Sequence, residues 1–284
     1  MKQQTIELGI STCPNDTFTF HALMHRLVDW RGLDFRVHLH DIQELNDSLF
    51  RGKFDVAKTS FHAALLLADQ TMVLPTGAAL GFGVGPLLLS SSPQRLNAPT
   101  DPQQIVLCPG RHTTASLLFK LFYRDTATVR QCVFSEIMPR LKRGEADYGV
   151  CIHEGRFTWE TERLGCVVDL GTQWESETHC PLPLGGLVAR RSLPAETIAT
   201  IQSVVEESLR YALADRSSAL PTMRRYAQFF DDDILMQHVD LYVNEWTVNL
   251  GEIGGRALSE LSNRAAAAGI QSRGIEVFCP GKDC

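Results

Sequence analysis

The chain has 284 residues, 44% hydrophobic and 21% charged, with a formal net charge of -6. Its length suits two lobes better than one compact core. The acidic balance offers no basic stripe to neutralise phosphates, so nucleic acid is excluded as the main partner, and no apolar run is long enough to span a bilayer.

The first residues lack the apolar core and small-residue cleavage site of a signal peptide. Instead Ile6, Leu8 and Ile10 alternate as in a strand. The turn Cys13-Pro14-Asn15-Asp16 follows, with Asp16 expected to cap a helix carrying Phe20, Leu23, Met24 and Leu27 at helical spacing. Phe35, Val37 and Leu39 mark a second strand, Glu44 to Phe50 a short helix, and Phe54 to Lys58 a third strand. Ser60 is placed to cap another helix, Ala63 to Ala68.

The same order returns after the glycine-rich stretch Gly77 to Pro86. Gln104 to Cys108 reads as a strand, Ala115 to Phe122 as a helix, Val129 to Phe134 as a strand, Ile137 to Arg143 as a helix and Asp147 to Ile152 as a strand. Leu49-Phe50-Arg51-Gly52-Lys53-Phe54-Asp55 is echoed by Leu141-Lys142-Arg143-Gly144-Glu145-Ala146-Asp147, and the matched element order around both supports an internal repeat. A second glycine-marked crossing is expected at Pro183 to Ala189. The division implied is lobe one from 1-88 plus 188-284, with 89-187 inserted as lobe two. After about residue 190 helices are expected, one of them with Pro194 in its first turn and Ile198, Ile201, Val205 and Leu209 on one stripe, all packing back on lobe one.

In α/β sheets ligands collect at the carboxyl ends of parallel strands, where helix N-termini direct amides outward. Four such turns are available: Ser11 to Asp16 with Asn15, Lys58-Thr59-Ser60, Gly110 to Thr114, and His153 to Arg156. Facing lobes would point all four into one cleft. Arg111 adds a planar donor fork suited to a carboxylate. His153 directly follows a strand, where an imidazole can serve as a general base; a satisfied structural histidine is the alternative.

The other histidines give weaker signals. His38 and His40 are expected to face solvent, His112 to line the cleft without doing chemistry, and His21 with His25 to form a surface pair without a third metal ligand. The glycine run lacks the features of a phosphate loop and suits a hinge, with Gly81, Gly83, Gly85, Gly185 and Gly186 as candidates. The eight cysteines contain no CxxC pair and are read as reduced thiols of a cytoplasmic protein; Cys279 and Cys284 could pair on oxidation, but the Pro-Gly composition of their tail suggests a loose end.

Five blocks in order carry a resemblance: Ser11 to Phe18, Gly77 to Pro86, Pro109 to Thr114, Ile152 to Thr158 and Leu182 to Gly186, with Tyr242-Val243-Asn244 further on. Together they resemble the 1,4-dihydroxy-6-naphthoate synthase family of the futalosine route to menaquinone. The resemblance implies an α/β, periplasmic-binding-protein-like fold of two lobes with a ligand cleft between them. It implies a carbon–carbon lyase that converts cyclic dehypoxanthinyl futalosine to 1,4-dihydroxy-6-naphthoate and a three-carbon fragment, without cofactor or metal. It also implies His153 as general base and substrate contacts at Lys58, Thr59, Ser60, Thr113, Thr114 and Ala115. Two positions depart from the family pattern, Gly155 for an expected serine and Thr59 for an apolar residue. The partner expected is thus a small-molecule carboxylate, with no nucleic acid and no membrane. The competing readings are a chorismate dehydratase of the same pathway, a non-catalytic solute-binding or ligand-sensing protein, and a phosphate-dependent transferase.

Overall fold

A computed structural model describes residues 4–152, 155–227 and 231–279. His153 and Glu154 therefore lie outside the described residues.

The alternating apolar segments form two mixed sheets. The first contains β1 (Gln4–Ser11), β2 (Leu33–His40), β3 (Val56–Ser60), β4 (Thr71–Val73) and β5 (Ala79–Gly81). The second contains β6 (Leu87–Ser90), β7 (Ile105–Cys108), β8 (Thr128–Gln131), β9 (Tyr148–Cys151) and β10 (Gly165–Asp169). The chain then returns to the first sheet with β11 (Leu182–Arg190), giving the order β2-β1-β3-β11-β4, with β5 also paired to β11. The second sheet runs β10-β6-β9-β7-β8. Each sheet has a parallel trio, β2-β1-β3 and β9-β7-β8, flanked by antiparallel strands.

The repeat is structural. At the end of the Ile42–Phe50 helix, Gly52 adopts φ +69°, and its N–H and that of Lys53 donate to the carbonyls of Leu49 and Ser48. At the end of the Ile137–Lys142 helix, Gly144 has φ +71°, and Gly144 and Glu145 donate to Leu141 and Arg140. Both are left-handed Schellman closures that need the glycine. The aspartate that follows then makes the same exchange twice. Asp55 N–H donates to Glu7 C=O while Asp55 Oδ2 accepts from Glu7 N–H at 2.9 Å. Asp147 does likewise with Ile105, also at 2.9 Å. Each aspartate locks its strand beside the central strand of its own parallel trio, β1 or β7.

Several boundaries differ from expectation. The first helix is Pro14–Thr19, capped at Cys13, so Asp16 sits inside the first turn with its side chain turned inward. Pro194 is likewise the residue before the first turn of Ala195–Ala214. The segment expected as a second crossing, 183–189, is part of β11 within the first sheet; the crossing itself precedes it, after the Leu170–Thr178 helix. Residues 280–284 of the tail lie outside the described residues, but the segment leading into it is anchored. Val73 N–H donates to Glu276 C=O and Phe278 N–H to Val73 C=O, so residues 276–278 run along β4. Cys279, held there by that pairing, is disulfide-bonded, which corrects the reading of all eight cysteines as reduced thiols. Six others are free thiols.

The C-terminal helices behave as their stripes require. Ile198, Ile201 and Val205 of the Ala195–Ala214 helix are buried with Ile6, Leu8 and Ile10 of β1. The Gly251–Ala267 helix does more than cover the first sheet. Its Leu258 and Leu261 join a core that also holds Leu88, Val106, Leu117 and Leu118 of the second half. One apolar core therefore runs continuously across both halves.

At the first crossing, residues 82–86, the backbone is seated closely. A Cβ on Gly85 would lie 2.2 Å from Gly171 Cα, with backbone on both sides unable to yield. Gly83, with φ +69°, faces open space. Gly85→Ala is expected to destabilise the protein by about 2 kcal/mol or more, against about 1 kcal/mol for Gly83→Ala, where only backbone strain operates. Urea denaturation midpoints of the two variants measure the difference, and equal midpoints would contradict the close seating.

Candidate functional site

The carboxyl ends of β1, β3, β7 and β9 converge on one pocket. It is lined from β1 and the turn after it by Ser11, Cys13, Asn15 and Asp16, and from β3 by Lys58 and Ser60. The turn after β7 supplies Thr113, Thr114 and Ala115, and the end of β9 supplies Ile152. Val84, Gly85 and Pro86 of the crossing form part of the wall, with Ile42 and Leu184, and the cavity encloses about 720 Å³ counted out through its mouth.

One ion pair lies at its base. Lys58 Nζ sits 2.8 Å from Asp16 Oδ1, with the two residues 5% and 2% exposed. Lys58 also donates to the Gly77 carbonyl at 2.7 Å. Asp16 accepts from Ser11 Oγ at 2.5 Å and from Asn15 Nδ2 at 3.0 Å. Charges this deep persist only when paired and hydrogen-bonded. This pairing is why Asp16 turns inward and leaves the helix cap to Cys13.

Beside the pair, Asn46 acts as a hub. Its Oδ1 accepts from Thr59 Oγ1 at 2.8 Å and from the Ser60 amide at 3.0 Å, while its Nδ2 donates to Ser60 Oγ at 3.1 Å and to the His112 carbonyl at 3.4 Å. Thr59 is thus buried against Asn46 and is not among the residues lining the pocket. Across the cleft, Thr113 caps the Thr114–Phe122 helix by accepting from Ser116 N–H at 3.2 Å. Thr114 Oγ1 donates to the Leu184 carbonyl at 2.6 Å. Thr114 and Ala115 occupy the first helical turn, where amides lack intrahelical partners and suit an anionic oxygen.

His62 supports that turn from the first half. Its Nδ1 lies 3.2 Å from the Thr113 carbonyl and so carries the proton, and its backbone N–H donates to Thr114 Oγ1 at 3.4 Å. Burial pushes its pKa down to about 4, against a smaller raising effect of the Thr113 carbonyl.

The expected convergence holds for three of the four turns, through Asn15, Lys58, Ser60, Thr113, Thr114 and Ala115, while His153 and Glu154 of the fourth lie outside the described residues. Arg111 and His112 do not line this pocket. They border a separate groove with Lys120, Tyr123 and Arg124, because Gly110, at φ +127°, turns the chain outward before Thr113 brings it back. His21 is buried, not a surface residue: its Nδ1 and the Nε2 of His25 both contact Thr222 Oγ1 at 2.8 Å. His38 and His40 are half-buried beside Glu7 and Glu44.

Sequence reasoning placed Asp16 in a cleft turn but gave it only a capping role, and it missed the supports Asn46 and His62 and the pair His238 and Tyr242. The last two come from the Asp232–Tyr242 helix, line the same pocket, and have ring centroids 4.5 Å apart. The Tyr-Val-Asn block was the available signal. Its Asn244 donates to the Leu80 carbonyl of β5 at 2.8 Å and caps the Glu245–Val248 helix, fixing the end of the helix that carries Tyr242. Among the described residues, no cluster of three or more His, Cys, Asp or Glu is arranged to hold a metal ion, and no helix is long and apolar enough to cross a membrane.

Two α/β halves with a pocket at their facing strand ends define a periplasmic-binding-protein-like fold. A Candida albicans protein described as having the generic periplasmic binding protein fold matches with a TM-score of 0.60 at 10% identity, covering 94% of this chain and 90% of that one. A solved structure from Archaeoglobus fulgidus matches with a TM-score of 0.88 at 31% identity, covering 95% of this chain and 100% of that chain. Residues 6–267 match the menaquinone biosynthesis family, and the chain belongs to it. The 1,4-dihydroxy-6-naphthoate synthase of Thermus thermophilus is 39% identical over 268 residues, covering 94% of this chain and 96% of that protein. That of Streptomyces coelicolor is 40% identical over 277 residues, covering 95% and 96%.

Two measurements test the site's electrostatics. Lys58→Met is expected to cost about 3–5 kcal/mol by leaving Asp16 buried and uncompensated, with most of that recovered in Asp16→Asn/Lys58→Met; a double variant as unstable as the single one would contradict the pairing. Between pH 6.5 and 4 an unfolded His62 takes up a proton that the folded one refuses. Stability should therefore fall as pH falls through that window, by at most about 1.4 kcal/mol per pH unit. His62→Gln should flatten the slope; an unchanged slope would show that His62 is not held neutral.

Proposed function

We propose that the chain is a 1,4-dihydroxy-6-naphthoate synthase, a lyase converting cyclic dehypoxanthinyl futalosine to 1,4-dihydroxy-6-naphthoate with release of a three-carbon fragment. The observation that carries this reading is the convergence of four strand ends from two sheets on one pocket, in a chain about 40% identical to two synthases of that name over nearly its full length. The pocket's composition suits the substrate. Ile42, Val84 and Leu184 offer an apolar bed for a carbocycle, and the Thr114–Ala115 turn offers a place for its carboxylate.

Residues 1–88 with 188–284 are proposed as one lobe and 89–187 as the other. Strand membership supports the division, since β1–β5 and β11 share one sheet and β6–β10 the other. Lobe closure would exclude water, as carbon–carbon cleavage driven by aromatisation requires.

His153 is proposed as the general base. Its support is the pocket position of Ile152, the residue just before it at the end of β9. An imidazole suits proton transfer near neutral pH. Purified protein incubated with cyclic dehypoxanthinyl futalosine should form the naphthoate, and His153→Ala should lower kcat by about a hundredfold or more with the fold intact. Tight binding of the substrate without product would return the solute-binding reading, and turnover of chorismate in its place would favour the dehydratase. A folded, fully active His153→Ala protein would remove His153 from the mechanism.

A further inference from the structure

The described lining of the pocket contains an imidazole, and it comes from a part of the chain far from His153 in sequence. His238, 7% exposed, lines the cavity from the Asp232–Tyr242 helix, which packs on the first helix and on β5. Its ring is tilted 43° against that of Tyr242, one helical turn on, which also lines the cavity. Among the described residues, His238 is the one histidine in the pocket lining.

The remaining described polar groups of the pocket are poor candidates for moving a proton. Asp16 is engaged by Lys58, Ser11 and Asn15, and Lys58 by Asp16 and the Gly77 carbonyl. Protonating Asp16 or deprotonating Lys58 would leave the other charge uncompensated in a buried site. Thr114 Oγ1 is committed to the Leu184 carbonyl. Thiols and phenols, as at Cys13 and Tyr242, ordinarily ionise well above neutrality, whereas an imidazole exchanges a proton near it.

The proposed reaction creates a need for such a group. A proton leaves the carbocycle, the carbon–carbon bond to the three-carbon fragment breaks, and the bonding pair departs with the fragment. The fragment then needs one proton, so the ring loses one and the fragment gains one. Nothing is oxidised or reduced and no co-reactant is consumed. A single base could carry the proton across only if both carbons lay within its reach. A second imidazole on another wall removes that restriction.

We propose that His238 is a catalytic residue, the proton donor to the departing three-carbon fragment, with Tyr242 setting the tilt of its ring. This rests on the synthase reading. Product formation is to be followed in the wild type, His238→Gln, His238→Ala and Tyr242→Phe, each checked for folding by thermal denaturation. His238→Gln should lower kcat about a hundredfold with KM changed no more than about threefold, since the lost interaction belongs to the transition state. Added imidazole should restore at least about tenfold of the activity lost in His238→Ala, which a purely structural role would not allow. Tyr242→Phe, which keeps the ring face that tilts the imidazole, should lower kcat less than His238→Gln does, and an equal or larger loss would overturn the positioning role given to the Tyr242 ring. A folded His238→Gln enzyme with wild-type kcat, or a loss confined to KM, would overturn the assignment while leaving the synthase reading intact. If His238→Gln fails to fold, imidazole rescue of His238→Ala decides, and absence of rescue overturns the proposal. A wild-type protein that forms no naphthoate would overturn the synthase reading and this assignment with it.

Discussion

The site depends on a lysine that cannot be buried alone. Lys58 is carried into the interior by β3, a strand buried along its whole length, and its ammonium must find a carboxylate and a carbonyl there. Asp16 and Gly77 provide them. That requirement ties the turn after β1 to the end of β3 and to the start of the segment leading toward the second sheet. At the pocket base the two opposite charges are consequently spent on each other and on their hydrogen-bond partners. Room for an anion is left to the helix start at Thr114 and Ala115, on the side built by the second sheet.

The two halves are also less separate than their repeat suggests. Each closes its helix with a left-handed glycine and anchors an aspartate to the central strand of its own parallel trio. Yet the apolar core is shared, and the Gly251–Ala267 helix contributes to both sides. Asn46 and His62, from the first half, bond the backbone of the turn that positions Thr113 and Thr114. Arg156 donates to the Gly85 carbonyl and pairs with Asp169, each at 2.7 Å, so the crossing is held from the second half. Motion between halves would have to work against these links, which favours a modest closure over a wide swing.

Much of this was legible in the chain itself. The alternation in β1 and β2, the short apolar run of β7 and the Arg-Gly-x-x-Asp echo each reflect local physics that a short window contains. The strand-end turns were legible for the same reason, since a parallel strand followed by a capped helix must expose its turn at the sheet's carboxyl edge. What stayed hidden was long-range. Nothing near Asp16 announces that Lys58 will recruit it away from capping. Nothing near His238 announces a pocket assembled from residues about two hundred positions earlier. Arg111 illustrates the converse error: it stands beside a true pocket turn, but a single glycine φ sends it to another groove.

The central claim is that a carboxylate ligand sits at the helix start of the second half, above the paired Asp16–Lys58 base. A crystal structure of the protein with 1,4-dihydroxy-6-naphthoate tests it most directly. The carboxylate should accept hydrogen bonds from the amides of Thr114 and Ala115, with the rings among Ile42, Leu184 and Tyr242. Product lodged instead in the groove beside Arg111 and Lys120, with the pocket unoccupied, would contradict the account.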